Sequence, residues 1–359
     1  MRIRAERDDL ADVLARAARA VGNRSPLPIL QGLLCEVSGD ELRVTGTDTE
    51  ITIRTTLKVE VLEEGKTVIP AKLAADAVKR LPSGAVAITA SDGEVEITGN
   101  GPRFRLREMN VEDFPTLSIS EGGDGFSVDS KSFIKALSQV GVAASTDEAR
   151  PTLTGVLFEK TDDGLRLVAT DSYRLAVCDL PGVDGPATAL IPYRALRELG
   201  RSIADDEMQV MITDRDATFT SGRGSLTVRI IEATFPNYRQ LIPDSYPARL
   251  VVDRASLVDA VSRASLVAED HIPIRFHLRS GGAELSVSRQ EVGEETEQIE
   301  GDYTGDEMTI AFNTRYLTDG VQAITTDNVV LDTSDPLKPG LMHGEGEENF
   351  RYLLMPVRL

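Results

Sequence analysis

Apolar residues follow two different periods along the chain, and each period predicts a different element. Leu10, Val13, Leu14, Ala17 and Val21 recur at helical spacing near the N-terminus, which predicts an amphipathic helix. Segments such as 42–45, 51–54 and 104–107 instead alternate apolar and polar residues, as half-buried strands do. The helical pattern predicts six helices: Arg7–Ala20, Lys72–Arg80, Lys131–Gln139, Tyr193–Ile203, Arg254–Arg263 and Thr314–Ala323. Because strands predominate between them, we expect an α+β fold.

The same order of elements is written three times. Gly32 and Asp48 recur 123 positions later as Gly155 and Asp171, and an Ile-Pro pair and a Phe-Pro pair recur at offsets of 122 and 121. A third, fainter copy begins around residues 272–278 and ends near Pro356. Repeats at a fixed period indicate duplicated structural units. We therefore predict three domains, residues 1–120, 121–245 and 246–359, each made of two helix-plus-strand halves.

Charge is distributed unevenly between the predicted elements. The 359 residues carry a net charge of −19, which argues against nucleic-acid binding unless one surface is locally basic. The six predicted helices hold 14 Lys and Arg against 7 Asp and Glu, so the rest of the chain carries −26. Helices that face one way would form a basic surface inside an acidic shell. The alternative is that helices merely tolerate Arg and Lys better than strands do.

Catalytic chemistry is hard to find in this sequence. The three histidines, His271, His277 and His343, have no metal-ligand partner at suitable spacing, and the phosphate-binding and nucleophile motifs are missing. Asp48 and Asp171 could be imagined as catalytic carboxylates. Both follow a Thr at the same repeat position, which favours a shared role in a turn. We expect no enzymatic activity, no cofactor and no metal.

Composition also suggests where the protein works. Cys35 and Cys178 stand far apart in apolar surroundings, which favours buried thiols in a reducing compartment. The charged N-terminus lacks the apolar stretch of a signal peptide, and no segment approaches the roughly 18 apolar residues of a membrane span. We expect a cytoplasmic protein.

Three motifs give the sequence a family resemblance. They are Ala169-Thr170-Asp171-Ser172-Tyr173-Arg174-Leu175-Ala176, Phe235-Pro236-Asn237-Tyr238-Arg239-Gln240-Leu241-Ile242-Pro243 and the terminal Tyr352-Leu353-Leu354-Met355-Pro356-Val357-Arg358-Leu359. Together with the repeat, they resemble the bacterial beta sliding clamp, the beta subunit of DNA polymerase III, over the whole chain. The resemblance implies a head-to-tail homodimer of three-domain chains that closes as a six-domain ring lined by helices. It further implies a processivity factor that slides on double-stranded DNA without reading its sequence. The implied protein partners are the polymerase alpha subunit, the clamp loader, other polymerases and repair proteins.

The resemblance also implies a pocket for short partner peptides that contain Gln with Leu or Phe. An apolar pocket with a flexible Met and a few polar groups suits varied peptide anchors. This sequence departs from the family where Ser172-Tyr173 replaces a frequent Gly-His and Gln240 replaces an Arg. The competing interpretation is that the C-terminus is only the last strand of a sheet. The matching positions are Leu153, Thr170, Tyr173, Arg174, Leu175, Pro236, Leu241, Asn313, Tyr316, Met355, Pro356, Val357 and Arg358.

A second surface would close the ring between chains. Arginines 103, 105 and 107 alternate along one predicted strand, and glutamates 291, 295 and 297 share one parity near the apolar pair Leu266-Val267. Opposite charges on edge strands suit pairing between two copies, and the resemblance places the dimer contact here. Solvated edge charges that discourage aggregation are the alternative. The interface candidates are Arg103, Arg105, Leu266, Val267, Glu295 and Glu297.

A third surface would face DNA. The candidates are Arg24, Lys72, Arg194 and Arg197, followed by Lys131, Lys135, Arg201 and Arg254. Such contacts would be independent of base sequence and sensitive to salt. A plain solvated helix face explains any single one of these residues equally well.

Two functions from other classes stay open at this point. A β-rich repeat scaffold unrelated to DNA would explain the acidity without a basic lining, and circular DNA would not retain it. A hydrolase with an unrecognised site would lose activity when Asp48 or Asp171 is changed while folding stays intact.

Overall fold

The computed structural model describes residues 1–22, 27–115, 124–186, 188–203, 205–243, 245–268 and 272–358. These residues divide into two compact units, Met1–Ile134 with Arg194–Ile230, and Lys135–Tyr193 with Ile231–Leu359. We refer to them as unit 1 and unit 2. The helices are α1 Arg7–Ala17, α2 Ala71–Arg80, α3 Ser130–Gly141, α4 Tyr193–Leu196, α5 Leu199–Ser202, α6 Arg254–Ala264 and α7 Thr314–Ala323.

Strands make up most of the ordered backbone, as the alternating pattern predicts. They are β1 Arg2–Glu6, β2 Gly32–Ser38, β3 Glu41–Thr47, β4 Ile51–Lys58, β5 Glu60–Glu63, β6 Gly65–Pro70, β7 Ala85–Ser91, β8 Glu94–Thr98, β9 Arg103–Arg107, β10 Asp124–Asp129, β11 Gly155–Lys160, β12 Gly164–Thr170, β13 Arg174–Pro181, β14 Thr188–Pro192, β15 Glu207–Ile212, β16 Asp216–Ser221, β17 Gly224–Arg229, β18 Ala248–Asp253, β19 Pro273–Arg279, β20 Gly282–Arg289, β21 Gly293–Thr304, β22 Met308–Asn313, β23 Asn328–Thr333, β24 Gly340–Gly344 and β25 Glu347–Leu354. Five single-turn 3₁₀ helices lie between them at Ala18–Ala20, Pro28–Gln31, Val111–Asp113, Pro151–Leu153 and Arg239–Leu241.

The strands form antiparallel sheets within each unit. Unit 1 holds a five-stranded sheet, in the order β5-β1-β7-β8-β9, and an eight-stranded sheet, in the order β10-β15-β16-β17-β4-β3-β2-β6. Unit 2 holds a twelve-stranded sheet, in the order β14-β11-β12-β13-β25-β24-β23-β18-β21-β20-β19-β22. Antiparallel sheets can bury one face and leave the other in solvent, which explains the alternation of apolar and polar residues along the strands.

The helices bury the stripes that their sequences predict. Leu10, Val13, Leu14 and Ala17 of α1 are fully buried and join a core cluster with residues of α2 and of the five-stranded sheet. Five of the six predicted helices are confirmed to within two residues at each end, counting the 3₁₀ turn that continues α1. The sixth prediction, 193–203, is wrong as one continuous helix. It divides into α4 and α5, joined by a tighter bond in which the Glu198 N–H donates to the Ala195 carbonyl three residues earlier.

A turn with the same strained backbone recurs in all three repeats. Thr49, Ser172 and Glu291 have φ values of 79°, 82° and 65°, in the left-handed region that side chains other than Gly rarely adopt. Each of them is the second residue after the end of a strand, β3, β12 or β20. The third copy is therefore aligned on Glu291.

Asp48 and Asp171 hold this turn in the first two repeats. One oxygen of Asp48 accepts from the N–H groups of Glu50 and Ile51, and one oxygen of Asp171 accepts from those of Tyr173 and Arg174. A short carboxylate that bonds the backbone two and three residues ahead stabilises a turn. The predicted turn role of both residues is confirmed.

The repeats are joined by strand pairing of one kind. In unit 1, β17 pairs with β4, with Val228 opposite Ile51 and Leu226 opposite Ile53. In unit 2, β25 pairs with β13, with Leu354 opposite Arg174. Each pair joins the first strand after the recurrent turn to the last strand of the following repeat.

No helix within the described ranges has the length and apolar character needed to cross a membrane. The two thiols are buried and free, as the sequence predicts.

Candidate functional site

A buried arginine lies at the centre of the candidate pocket in unit 2. The side chain of Arg174 is only 6% exposed. Its Nε donates to Asp171 Oδ2 at 2.9 Å, and its Nη1 donates to Asp319 Oδ2 at 2.6 Å and to the Tyr352 hydroxyl at 3.3 Å. A buried charge is tolerated when it is paired and hydrogen-bonded in this way. The network therefore fixes β13, α7 and β25 against one another.

An aromatic surface lies against this arginine. The guanidinium carbon of Arg174 is 4.5 Å from the ring centroid of Tyr316, and the ring of Tyr173 stacks on that of Tyr316 with a centroid distance of 6.0 Å. The Tyr352 hydroxyl donates to the Tyr316 carbonyl at 2.8 Å. Tyr173 is 56% exposed and Met355, whose N–H donates to the Tyr173 carbonyl, is 40% exposed. Exposed apolar side chains on a rigid base suit a protein-binding surface.

Burial keeps the tyrosines of this site protonated. It raises the pKa of Tyr352 and, to a smaller degree, that of Tyr316. Burial by itself would lower the pKa of Arg174, but Tyr352, Asp319 and Asp171 outweigh it, and the pKa rises. The arginine thus stays charged and both phenols stay neutral throughout the physiological pH range.

The last residues of the chain are held beside α7. Asn313 caps α7, because its side chain accepts from the Tyr316 N–H at 3.1 Å. Pro356 forms an isolated bridge with Phe312, and the Val357 N–H donates to the Ala311 carbonyl at 2.8 Å. Arg358 is exposed. The predicted C-terminal residues therefore form an ordered edge of the site.

An apolar cluster adjoins this edge on the same sheet. Leu175 and Leu353 are paired across β13 and β25 and belong to a buried cluster. Leu241 is exposed, and its neighbour Ile242 packs against the cluster. The other members of the cluster are Leu157, Val168, Val177, Leu190, Tyr238 and Leu341, with Ile231, Phe235 and Tyr246 packed on it.

Direct contacts bring together Tyr173, Arg174, Tyr316, Met355 and Asn313. Thr170 supports the turn, because its hydroxyl donates to the Arg174 carbonyl at 2.6 Å. Leu153 is buried in the 3₁₀ turn at Pro151–Leu153, and Pro236 is exposed near the buried Tyr238. The structure links neither of these two residues to Arg174 by a direct bond.

Sequence reasoning missed two residues that hold the arginine in place, Asp319 and Tyr352. Asp319 lies three residues after Tyr316 on α7, so the two share a helix face. That spacing could have identified it. Tyr352 belongs to the terminal motif, but only the pairing of β25 with β13 shows that it reaches Arg174.

The candidates for the chain-to-chain interface lie on β9, on β21 and directly after α6. Arg103 and Arg105 are exposed on β9, and each approaches Glu96 of β8, at 3.5 Å and 3.4 Å. Leu266 follows α6 and is 83% exposed, and Val267 beside it is partly buried.

The acidic candidates face α6. Glu297 accepts two bonds from Arg263, from Nε at 2.8 Å and from Nη2 at 2.6 Å, and this ion pair lowers the pKa of Glu297. Partial burial, together with the charge of Glu297, raises the pKa of Glu295. The prediction that Glu291 shares this strand face is wrong, because Glu291 lies in the turn before β21.

The DNA-facing candidates differ in their exposure and in whether their charges are paired. Lys72 and Arg197 are exposed, with no ion pair among the residues that the structure describes. Arg194 is exposed but pairs with Asp48 at 3.0 Å. Arg254 donates to the Ile324 carbonyl, which indicates a structural role. Arg24 lies outside the described residues.

Of the weaker candidates, Lys131 is exposed, whereas Lys135 and Arg201 pair with carboxylates, Glu347 at 3.1 Å and Glu198 at 3.8 Å.

A cavity lies elsewhere, in unit 1. Its volume is about 1040 Å³, and its wall includes Ala18, Val21, Ile29, Lys72 and Met109. None of the predicted docking residues lines it.

Comparison with known proteins assigns the chain to a family. Models of the N-terminal, central and C-terminal domains of the DNA polymerase III beta subunit match residues 1–118, 127–237 and 239–358. The beta sliding clamps of Streptomyces coelicolor and of a Synechocystis species are each 32% identical over the full length of both proteins.

Solved structures agree with this assignment. The DNA polymerase III subunit beta of Bartonella birtlesii, bound to griselimycin, has a TM-score of 0.95 at 28% identity and covers all of both chains. The Caulobacter crescentus clamp, with PEG in its putative beta-motif tethering region, has a TM-score of 0.94 at 29% identity and covers 100% of this chain and 99% of that one. The chain described here belongs to the DNA polymerase III beta subunit family, the bacterial beta sliding clamps.

Proposed function

We propose that this protein is a processivity factor of the replicative DNA polymerase, a ring that encircles and slides on duplex DNA. The observation that carries the proposal is the exposed surface of Tyr173, Leu241 and Met355 in unit 2. Large apolar side chains grouped on a surface, as Tyr173 and Met355 are here, are typical of a protein-binding site. Family membership identifies its partners as the short peptides of polymerases, the clamp loader and repair proteins.

The geometry of the site fits such a peptide. Tyr173, Tyr316 and Met355 form an apolar rim, and Arg174 holds Tyr316 from below through the contacts described above. A rigid base reduces the entropy lost on binding, while a flexible Met accepts side chains of different shapes. The Caulobacter clamp holds PEG in a region named for tethering of the beta motif, and we propose the corresponding role for this site. The other pocket residues, Leu153, Pro236 and Arg358 among them, belong to the proposal through the family resemblance.

Ring closure is supported by the pairing between repeats. β4 pairs with β17, and β13 pairs with β25. One strand of each kind is left: β21, the strand after the recurrent turn in the third repeat, and β9, the last strand of the first repeat. Among the described residues, nothing pairs with the outer edge of β9 or with the edge of β21 before Gly301 that faces away from β20. We propose that β9 of one copy pairs with β21 of another, so that two chains close head to tail.

The same equivalence gives a register for that pairing. The N–H groups of Met109, Ile231 and Val357 make the same bond in the three repeats, so Leu106 takes the place of Val228 and Leu354. Leu106 would then lie opposite Gly293, and Arg105 opposite Glu294. In this register Arg103 and Arg105 lie on the solvent-exposed face of the combined sheet. Glu295 and Glu297 lie on the opposite face, which packs against the helices, together with Phe104. Leu266 and Val267 would complete the helix side of the contact.

Sliding needs weak and sequence-independent contacts. A closed ring is retained on DNA by topology, so a few phosphate contacts from Lys72, Arg197 and their neighbours suffice. Such a protein catalyses no reaction and requires no cofactor. Its place is the cytoplasm, where the chromosome is replicated. We retain domain boundaries after residues 120 and 245 as part of this proposal.

Peptide binding is the experiment that tests the docking site. A fluorescent Gln-Leu-x-Leu-Phe peptide is expected to show saturable polarisation with the intact protein. Met355→Ala removes the flexible apolar anchor and should weaken binding about tenfold, since a buried Met side chain contributes roughly 1.5–3 kcal/mol. Met211→Ala, at a second methionine that is 41% exposed on unit 1, is the matched control. Absence of binding to the intact protein, or equal losses in both variants, would contradict the proposed site.

The oligomeric state tests ring closure independently of the peptide. Leu266→Asp should give monomers in sedimentation velocity, because it places a charge in an apolar contact. Leu337→Asp, at another strongly exposed leucine (63%) of the same unit, should leave the dimer intact. A dimer that persists in the first variant would contradict this interface.

A further inference from the structure

One contact between helices recurs at both junctions between repeats. In unit 1, Arg16 of α1 donates from Nη1 to the carbonyl of Ser202, the last residue of α5, at 3.4 Å. In unit 2, Gln139 of α3 donates from Nε2 to the carbonyl of Ala323, the last residue of α7, at 2.9 Å. Arg16 and Gln139 each hold the tenth position of the first helix of their repeat. Each of them caps the end of the second helix of the next repeat.

The remaining helix end lacks this donor. The second helices of the three repeats begin at Ala71, Tyr193 and Thr314, and counting from these starts places Arg80, the last residue of α2, at the position of Ser202 and Ala323. α2 does receive a donor from its own repeat, because Arg7 Nη1 donates to the Lys79 carbonyl at 3.2 Å. Within the described part of the chain, nothing donates to the carbonyl of Arg80. The last carbonyls of a helix need such partners.

The remaining tenth-position residue is Arg263 of α6. Its Nε and Nη2 donate to Glu297, which leaves Nη1 without a partner among the described residues. Arg16 divides its donors in the same way, because Nη2 pairs with Asp12 at 2.6 Å while Nη1 reaches the helix-end carbonyl and, at 3.3 Å, the Arg223 carbonyl. The ion pair with Glu297 therefore orients the Arg263 side chain and leaves Nη1 available to donate to a helix-end carbonyl.

We propose that Arg263 Nη1 donates to the carbonyl of Arg80 at the end of α2 in a second copy of this chain. The inference rests on the proposed ring closure and assigns one residue within it. A cation at a helix C-terminus also interacts favourably with the helix dipole. Glu297 acts here as a positioning residue for Arg263. The contact between the tenth residue of one helix and the end of another is present at both junctions within the chain. The proposed contact between chains would be the third of this kind.

The dimer dissociation constant, measured by sedimentation velocity over a dilution series, tests this assignment. Arg263→Ala is expected to raise the constant by about a hundredfold or more, because the closed ring contains the contact twice and the loss of each hydrogen bond from a charged group typically costs about tenfold or more. Arg263→Gln reproduces the residue that makes the contact at position 139 and should retain much of the affinity, although it cannot pair with Glu297. Arg275→Ala, at an exposed arginine of the same unit on β19, is the matched control. Thermal unfolding confirms that each variant is folded.

Each outcome supports or overturns the assignment. Equal losses for Arg263→Ala and Arg263→Gln would assign the effect to the ion pair with Glu297 and overturn the helix-end contact. A dissociation constant for Arg263→Ala equal to that of the wild type would overturn it while leaving ring closure intact. A wild-type protein that stays monomeric at every concentration would overturn ring closure itself.

Cross-linking gives a geometric test that does not depend on affinity. The double variant Arg80→Cys/Arg263→Cys should yield covalent dimers with a short bismaleimide, because the two positions face each other across the junction. The pair Lys72→Cys/Arg263→Cys moves one thiol to the start of α2, about 12 Å farther along the helix, and should not cross-link. Cys35 and Cys178 are buried and should not compete. Equal cross-linking of both pairs, or of neither, would overturn the proposed contact.

Discussion

Removal of Arg174 should destabilise unit 2 far more than removal of an exposed arginine. In Arg174→Ala, the carboxylates of Asp171 and Asp319 and the Tyr352 hydroxyl lose their donor, at 2.9 Å, 2.6 Å and 3.3 Å. Breaking a buried ion pair by deleting one partner costs about 3–5 kcal/mol, because the remaining charge has no compensation. Asp319 is about one third exposed, which favours the lower end of that range, about 3 kcal/mol.

Thermal and urea unfolding, followed by circular dichroism, measure this cost. For a unit of this size, about 3 kcal/mol corresponds to a fall in Tm of roughly 6–12 °C. Arg239→Ala is the matched control, because Arg239 pairs with Glu159 at 2.7 Å but is 60% exposed, and such pairs contribute at most about 1 kcal/mol. Peptide affinity should also fall in Arg174→Ala, since Tyr316 loses the support of the guanidinium. A loss below about 1 kcal/mol, equal to that of the control, would refute the view that Arg174 holds β13, α7 and β25 together.

Three further predictions concern single sites. Ser172→Gly should raise the free energy of unfolding, measured in urea titrations, by about 0.5–1 kcal/mol. Gly relieves the strain at φ 82°, and its larger loss of backbone entropy on folding offsets only part of that gain. No gain in stability would mean that the turn is unstrained. His343 donates to Asp332 and to the Gly344 carbonyl, and the bond to Asp332 raises the pKa of His343. The stabilisation from His343 should therefore be complete below the unfolded pKa of about 6.5 and be lost as pH rises through the higher folded pKa. When Tm is measured against pH, His343→Gln should remove this part of the pH dependence. Burial raises the pKa of Cys35 and Cys178 to about 12, so a thiol reagent such as DTNB should label both only after unfolding; rapid labelling of native protein would contradict their burial.

Sequence periodicity predicted most of the fold because its signals are local. Apolar stripes defined α2, α3, α6, α7 and α1, the last counted with its 3₁₀ turn, to within two residues. The failure at 193–203 is also local, because a 3₁₀-type bond at Glu198 divides the helix without removing any apolar residue from its buried face. Pairing between repeats could not be predicted in this way. The register of β17 on β4 depends on residues about 170 positions apart, and no pattern within either strand specifies the other.

The candidate site was predicted in part for the same reason. Tyr173, Arg174 and Met355 lie in motifs that the family shares, and direct contacts bring them together. The partners of Arg174 could not be read from the chain, because Asp319 lies 145 residues away and reaches it only through the docking of α7. The departure from the family at Ser172 has a structural consequence that the sequence did not reveal, since a non-Gly residue here occupies a left-handed conformation.

The junctions of the proposed ring should not be equally strong. At the internal junction in unit 1, Leu226 and Val228 lie opposite Ile53 and Ile51, and all four side chains are buried. The equivalent register between two chains places Phe104 opposite Glu295, and Leu106 opposite Gly293. Exchanging two aliphatic residues for a carboxylate and a glycine removes apolar burial, each such side chain contributing roughly 1.5–3 kcal/mol. We infer that a ring of two such chains opens between chains, since that junction has a weaker strand pairing than the junction in unit 1 and no covalent connection.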